Sequence, residues 1–212
     1  MPLSNLKVRQ KEFLEVFELA YNYYKDEKRR LAGEGWKYNW QTLIVTIFSA
    51  QTRDEVTIPV CEKLFKKYDE LKKFASTDPQ TIMMYIRPLN YYQTKAKNAV
   101  KTANILLEKY GEEIPQTIEE LIELPGVGRK TANLVIGEIF NKQGICVDTH
   151  VHRISNVFGF VETKTPEQTE KELMLVAPKK IWNKINRTFV LWGQDVKGHD
   201  KDKFLEKIKK NQ

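Results

Sequence analysis

The run Leu124-Pro-Gly-Val-Gly128 joins two helical segments and is followed at once by Arg129 and Lys130. Its two glycines permit backbone conformations and close approaches that a side chain would block. Exposed N–H groups at the start of the second helix, from Gly128 onward, form a site for an anion such as a phosphate oxygen, and the two cations add positive charge. The alternative is a tight helix–helix turn whose two cations are simply solvated.

Few other side chains in the sequence indicate catalysis or metal binding. The two cysteines, Cys61 and Cys146, lie 85 positions apart, which excludes a disulfide scaffold and an all-cysteine metal site. His150 and His152 have no further ligands close by in the sequence, so they make a weak metal site. Asp148 stands before a helical segment and is typical of a helix N-cap.

Hydrophobic residues recur with a helical period along most of the chain, and strand alternation is sustained nowhere. This pattern predicts an all-α fold of around ten helices. The predicted segments are a helix over 9–30, a buried helix ending near Ser49-Ala50-Gln51, a long helix from Tyr92 to Tyr110 with Gly111 behind it, a short helix from Thr117 to Leu124, a helix from Gly128 to about Phe140, and a last helix carrying Trp182 and Trp192.

Capping residues mark the start of several of these helices. The helix that contains Pro59 can begin after Asp54, or after Thr57, which would place the proline more comfortably in the first turn. Clearer N-caps are Asp78 and Thr165, each followed by a proline, and Thr117, which has Glu120 at capping-box spacing. Asp148 is a further predicted N-cap.

The composition is that of an ordinary globular protein: 41% of the 212 residues are hydrophobic and 30% are charged. Charges interrupt every apolar stretch before it reaches the roughly 18–20 residues of a membrane span, and the first residues lack the apolar region of a secretory signal. We therefore expect an intracellular protein, monomeric by default, without membrane contact. The net charge of +7 is compatible with a polyanionic partner, although many proteins without one carry a similar charge.

Four segments together resemble the endonuclease III branch of the helix-hairpin-helix DNA glycosylases. They are Leu124-Pro-Gly-Val-Gly-Arg-Lys-Thr-Ala-Asn133, Val147-Asp-Thr-His-Val-His-Arg153, Ser49-Ala-Gln-Thr-Arg-Asp54 and Tyr91-Tyr92-x-x-Lys95-Ala96, and the resemblance covers roughly residues 10–195. In that branch a hairpin lysine and an aspartate 18 residues later form the catalytic pair. Lys130 and Asp148 stand 18 residues apart here.

The resemblance implies a bifunctional DNA glycosylase with AP lyase activity in base excision repair, acting on double-stranded DNA with damaged bases or abasic sites. Lys130 is the expected nucleophile: it attacks C1′ of the sugar, forms a Schiff base and leads to β-elimination. The amine must be neutral to attack, and we expect burial at a helix N-terminus to lower its pKa from the free value of about 10.4. Asp148 would stabilise the positive charge on the sugar or help to take the proton.

An enzyme of this kind extrudes its target base and fills the gap in the stack with a side chain. Tyr91 and Tyr92 are the candidates for this wedge, unless both simply pack. Gln51 would fill the orphaned space or read a base edge, unless it only caps a helix end. The full set of expected DNA-binding residues is Gln51, Tyr91, Tyr92, Gly126, Gly128, Arg129 and His150, and a charge run at Lys179, Lys180, Lys184 and Arg187 extends it or is a solvated face.

The family's architecture implies two helical lobes: a six-helix barrel over 32–142 that contains the hairpin at 117–140, and a second lobe of 1–31 with 143–212. It also implies a monovalent cation, K⁺ or Na⁺, on the main-chain carbonyls of Ile122, Leu124 and Val127. Most members end in four cysteines that bind an iron–sulfur cluster, but no cysteine follows Cys146 in this sequence, so we expect no cluster.

An oxidised pyrimidine is the first choice of substrate, because a purely hydrolytic glycosylase has no need of a nucleophilic amine at Lys130. Two other hypotheses stay open at this point. One is a monofunctional glycosylase for mismatched or alkylated bases, with Lys130 contacting phosphate. The other is a non-catalytic protein that uses the hairpin as a phosphate clamp, which would need neither Lys130 nor Asp148.

The expected cellular location of such a DNA repair enzyme is the cytoplasm or nucleoid of a prokaryote, or the nucleus of a eukaryote.

Overall fold

The computed structural model describes residues 3–209, and all regular structure within them is helical, which confirms the all-α class. A short 3-10 turn lies at Lys179–Ile181. The α-helices in this range are α1 Leu3–Tyr24, α2 Asn39–Ser49, α3 Asp54–Lys67, α4 Leu71–Ala75, α5 Pro79–Tyr85, α6 Tyr92–Tyr110, α7 Ile118–Ile122, α8 Arg129–Phe140, α9 Thr149–Val157, α10 Pro166–Val176, α11 Trp182–Asp195 and α12 Lys201–Lys209.

The chain divides into two compact units. One unit is Arg30–Asn141, and the other combines the residues up to Arg29 with those from Lys142 onward. The chain thus leaves the second unit and returns to it. None of the helices within residues 3–209 is long and apolar enough to cross a membrane.

Helix α2 is the centre of the Arg30–Asn141 unit. All nine residues from Trp40 to Phe48 are buried, and the helix packs against α3, α6 and α8. A helix that is buried on nearly every side must be surrounded by other parts of its unit. The ring of Trp40 lies 5.2 Å from Phe65 and 5.7 Å from Phe74, which ties the start of α2 to α3 and α4.

In the other unit α11 takes this central place and packs against α1 and α9. Ring contacts join Phe13 of α1 to Phe189 of α11 at 6.3 Å, and Phe189 to Trp192 at 5.9 Å. Trp192 Nε1 donates to the carbonyl of Phe204 at 3.1 Å, and Phe204 itself is fully buried. The charged stretch after Lys197 therefore includes a helix, α12, with an anchored apolar face.

Asp195, at the end of α11, is the charged anchor of the same unit. Its carboxylate accepts hydrogen bonds from Tyr24 at 3.0 Å and from Arg29 at 2.8 Å, and it forms an ion pair with Lys207 at 3.2 Å. Burial by itself would raise the pKa of Asp195, but these donors outweigh that effect and lower it. The ionised carboxylate thus joins α1, α11 and α12.

Short-range sequence signals predicted several helix ends correctly. The bounds of α6 and α8 agree with the expectation, and Gly111 follows α6 in the left-handed conformation, with φ +56°. Three predicted N-caps accept backbone N–H groups through their side chains and are confirmed: Asp78, Thr117 and Thr165.

Other predicted bounds were wrong. Helix α1 ends at Tyr24 rather than near residue 30, because Glu27 bonds through its side chain to the N–H of Arg29 at 3.1 Å and so holds this segment out of a helix. Neither proposed cap starts α3, since Arg53 is its N-cap and Thr57 lies inside, where its hydroxyl donates to the carbonyl of Arg53. Helix α7 ends two residues early, at Ile122.

Candidate functional site

The hairpin between α7 and α8 is held against α2 and α6. Gly126 has φ +83°, and a Cβ there would lie 3.1 Å from Asn98 Cβ and 3.1 Å from Ile47 Cγ2. A side chain at this position is therefore disfavoured both by the left-handed backbone and by the neighbours. Thr102 of α6 donates to the carbonyl of Pro125 at 3.0 Å and fastens the turn from the other side.

The N-terminus of α8 is open. Gly128 is its N-cap, no side chain caps the helix, and a Cβ on Gly128 would meet no atom of the described residues within 4 Å. Arg129 and Lys130 follow in the first turn and are both exposed. Backbone N–H groups without a helical partner, beside two cations, are the arrangement that binds a phosphate oxygen.

The expectation that Lys130 is buried was wrong. Its side chain is exposed, because the buried face of α8 begins one residue later, at Thr131, and continues through Ala132 and Val135. This exposure leaves the amine accessible to a large ligand.

Asp148 is the N-cap of α9, which confirms that interpretation. Its Oδ1 accepts from the N–H of His150 at 2.9 Å and from that of Val151 at 2.8 Å. Both bonds end on the same oxygen, Oδ1. The half-buried carboxylate can thus cap the helix with one oxygen and present the other to a ligand.

His150 packs into its own unit. Its ring lies so close to Gly193 of α11 that a Cβ at Gly193 would be 2.9 Å from His150 Cβ. Arg153 NH2 lies 3.3 Å from His150 Nδ1, and the same guanidinium donates to the carbonyls of Gly193, Val196 and Gly198. Sequence reasoning missed Gly193 and Arg153; a glycine among the bulky residues of α11 was the available signal. DNA contact by His150 stays a prediction.

Gln51 and Tyr91 share an unusual backbone. Both are non-glycine residues in the left-handed region, with φ +54° and +56°, and both are exposed, Tyr91 by 68%. Such a conformation costs about 1 kcal/mol or more, and it clusters at functional sites. Tyr92, by contrast, is half-buried against the core of its unit. Tyr91 therefore projects into solvent, whereas Tyr92 packs against the core.

Lys95 is the first buried residue of α6, and its amine contacts the residues on either side of Gln51. Its Nζ donates to the carbonyls of Phe48 at 2.7 Å and Ala50 at 2.6 Å, and to the hydroxyl of Thr52 at 2.9 Å. Desolvation lowers the pKa of Lys95 to about 8. Sequence reasoning used Lys95 only as part of a motif. The signal for its burial was the helical spacing from Lys95 to Ala99 and Thr102, which are both buried.

The four basic residues at and before α11 differ in exposure. Lys179, Lys180 and Lys184 are exposed. Arg187 is half-buried and donates to the carbonyls of Glu27 at 2.8 Å and Arg29 at 3.1 Å, so it supports the fold of its unit.

The hairpin carbonyls named for a cation are neutral oxygens at the end of α7 and in the turn. Ile122 is the last residue of α7, and the carbonyl of Leu124 accepts the N–H of Val127 at 3.0 Å. A carbonyl oxygen has a second lone pair, and a helix C-terminus leaves carbonyls without intrahelical donors. Among residues 3–209, no cluster of three or more histidine, cysteine or acidic side chains is placed to hold a metal.

Comparison with known proteins finds the same family throughout. The family model of the HhH-GPD superfamily base excision DNA repair proteins matches residues 44–179. Endonuclease III of Thermotoga maritima is 43% identical over 157 residues, which cover 74% of this chain and 74% of that protein. Endonuclease III of Buchnera aphidicola is 35% identical over 188 residues, with 89% and 86% covered.

A solved structure extends the similarity to three dimensions. The trapped covalent intermediate of endonuclease III with DNA, an estranged-adenine complex, superposes with a TM-score of 0.83 at 30% sequence identity. The match covers 90% of this chain and 89% of that one.

Proposed function

Because the chain belongs to the HhH-GPD superfamily of base excision DNA repair proteins, we propose that Lys130 and Asp148 perform the catalysis of a DNA glycosylase with AP lyase activity. The activity class itself follows from the endonuclease III relatives and from the structural match to an endonuclease III–DNA complex: the chain is a base excision repair enzyme of this type. The roles of individual residues are our proposal.

The observation that carries this proposal is the open N-terminus of α8. Gly128 leaves space in front of the first N–H groups of α8, which have no acceptor within the helix itself, and we assign one phosphate of the DNA backbone to this space. Lys130 stands exposed in the same helical turn, so the phosphate contact and the nucleophile have a fixed relation within one rigid element. A non-catalytic clamp would need the glycine but would not need the amine.

Base extrusion precedes the chemistry. Unstacking a nucleotide costs a few kcal/mol, and an inserted side chain compensates by filling the gap. Tyr91 and Gln51 are exposed on turns and are suited to insertion, whereas Tyr92 is half-buried against the core of its unit. We assign insertion to Gln51 and Tyr91 on this basis.

In the proposed reaction, neutral Lys130 Nζ forms a bond to C1′ of the sugar. The bond from C1′ to the base nitrogen breaks, and the base leaves with that electron pair and is then protonated. The sugar ring opens to a protonated Schiff base between Nζ and C1′. Loss of a C2′ proton then breaks the C3′–O bond by β-elimination, and water releases the lysine. Asp148 stabilises the positive charge that develops at C1′ and accepts a proton from the amine.

We propose an oxidised pyrimidine in double-stranded DNA as the substrate. A lysine nucleophile allows base removal and strand cleavage at one site, which is the combination expected for this class of lesion. The second candidate is monofunctional removal of mismatched or alkylated bases, which the exposed position of Lys130 would serve as a phosphate contact. We further propose that the enzyme acts as a monomer, in the cytoplasm or nucleoid of a prokaryote or in the nucleus of a eukaryote.

The hairpin carbonyls and the cysteine thiols of the chain suit different metal groups. The main-chain oxygens of Ile122, Leu124 and Val127 are neutral hard ligands that suit K⁺ or Na⁺, which would add positive charge near the phosphate site. An iron–sulfur cluster takes four thiolates, whereas the chain has two cysteines, both buried and far apart in sequence. We propose the cation and no cluster.

Borohydride trapping tests the mechanism. Wild type and Lys130→Gln are incubated with a thymine glycol duplex and with a plain abasic duplex, and covalent adducts are resolved by electrophoresis. Arg129→Gln is the matched control, because it removes the neighbouring exposed cation but leaves the amine. We expect adducts with both duplexes for wild type and Arg129→Gln, and none for Lys130→Gln.

The other outcomes separate the alternatives. An adduct on the abasic duplex alone would keep the lyase and replace the substrate. Base release without any adduct would favour the monofunctional candidate. Binding without base release or cleavage would refute the catalytic assignment.

A further inference from the structure

Two exposed left-handed residues lie 40 positions apart in sequence but on loops that are bonded to each other. Gln51 follows α2, and Tyr91 precedes α6. Asn90 Nδ2 donates to the carbonyl of Gln51 at 2.5 Å, and the N–H of Asn90 donates to Thr52 Oγ1 at 3.2 Å. The residue before Tyr91 is thus bonded to Gln51 and to the residue after it.

Lys95 makes the same connection from the buried side. Its ammonium group has three N–H donors, and the structure gives it three acceptors: the carbonyls of Phe48 and Ala50, and Thr52 Oγ1. These acceptors flank the backbone of Gln51 on both sides. Lys95 lies one helical turn after Tyr91, and its backbone N–H donates to the carbonyl of Tyr91 at 3.0 Å.

The chemistry of this contact explains why a lysine occupies a buried position. Burying an ammonium group is costly unless all of its donors are satisfied. The carbonyls at the C-terminus of α2 lack intrahelical donors and carry the negative end of the helix dipole. Lys95 therefore caps the C-terminal carbonyls of α2, while its own helix, α6, begins directly after Tyr91.

We propose that Lys95, together with Asn90, is a positioning residue that couples the Gln51 and Tyr91 loops, so that both side chains enter the DNA duplex as one rigid unit. This inference rests on the proposed function, in which these two side chains fill the gap left by the extruded nucleotide. Lys95 is buried and does not touch the DNA. It acts by holding two strained turns in the orientation needed for insertion.

Coupling of this kind has a measurable consequence. Two side chains on a shared rigid support cooperate, so the effects of removing them are not multiplicative. Two side chains on independent loops act separately, so their effects multiply. Lys95 decides between these two cases.

A double-mutant cycle tests the inference. Single-turnover base excision is measured on thymine glycol duplex for wild type, Gln51→Ala, Tyr91→Ala and the double variant, and the cycle is repeated in a Lys95→Met background. We expect the wild-type cycle to deviate from multiplicativity by about 5-fold to 10-fold. In Lys95→Met the deviation should fall below about 2-fold, the level of independent sites.

Two further backgrounds distinguish positioning from general stability. Lys95→Arg keeps a cation with several N–H donors and should restore most of the coupling. Lys101→Met removes an exposed lysine of the same helix and should leave the coupling at the wild-type value. Because the coupling is a ratio within each background, a uniform loss of activity caused by destabilisation cancels.

The outcomes keep the two proposals apart. Unchanged coupling in Lys95→Met, with an active wild type, would overturn the inference alone. An inactive wild type, or full activity in Gln51→Ala and Tyr91→Ala, would overturn the proposed function and the inference with it. If Lys95→Met fails to fold, Asn90→Ala removes the exposed bond between the loops; reduced coupling there supports the inference, and unchanged coupling overturns it.

Discussion

Asp148 has a structural and a proposed catalytic role, and substitution can separate them. The cap consists of two hydrogen bonds on Oδ1, at 2.9 and 2.8 Å. Asparagine and serine cap helices nearly as well as aspartate, whereas alanine at an N-cap costs about 1 kcal/mol, within a range of roughly 0.5–2. We therefore expect Asp148→Asn and Asp148→Ser to unfold in urea within about 0.5 kcal/mol of wild type, and Asp148→Ala to lose about 1 kcal/mol.

Activity should follow a different order. All three variants lack the carboxylate to which we assign stabilisation of the charge at C1′, so we expect each to lose on the order of 100-fold to 1000-fold in single-turnover excision of thymine glycol. Thr165→Ala is the control, because it removes another N-cap bond in the same unit, the 3.3 Å bond from the N–H of Gln168. It should cost similar stability and leave excision nearly unchanged.

Two results would refute this reasoning. Wild-type excision by Asp148→Asn and Asp148→Ser would mean that the carboxylate is only a cap. Excision that declines in proportion to stability across all four variants would mean that the loss comes from fraying of α9.

The hairpin glycines should respond differently to alanine. Gly126→Ala meets a left-handed backbone and contacts at 3.1 Å, so we expect a loss of about 1–3 kcal/mol in urea unfolding. Gly128→Ala should stay within about 1 kcal/mol of wild type, since its Cβ meets open space, yet bind duplex DNA more weakly in fluorescence anisotropy, because the methyl group stands before the N–H groups. Equal effects of both substitutions on stability would contradict this account. Asp195→Asn should cost about 1–3 kcal/mol at pH 7. Because the folded pKa of Asp195 is lowered, this stabilisation is present above the unfolded value of about 3.9 and is lost as the pH falls through the folded value, so urea titrations of wild type and variant should converge in acid.

Much of the local structure was predictable because its causes lie within a few residues. The caps at Asp148 and Thr165 bond to N–H groups two or three positions away, and the period that marks α6 is read within one helix. Propensity and capping are short-range effects, and they act before the chain folds. The resemblance added the identities of the candidate residues.

Errors arose where several local outcomes were equally compatible with the sequence. Asp54, Thr57 and Arg53 are all close to the start of α3, and only the observed helix shows that Pro59 is tolerated in its second turn. A proline removes a single backbone hydrogen bond of the helix, and the residues that follow it, Cys61, Leu64 and Phe65, are buried in the core.

The sequence by itself determined the helical class, most of the helix ends and the residues that can do chemistry. The tertiary structure decided which of those residues are exposed: Lys130 is exposed, Tyr91 projects while the adjacent Tyr92 packs, and Lys95 is buried. Exposure depends on which helix covers a face, and the partners of Lys95 lie more than 40 positions away. Contacts at such separation form only when the whole unit packs, so no local pattern encodes them.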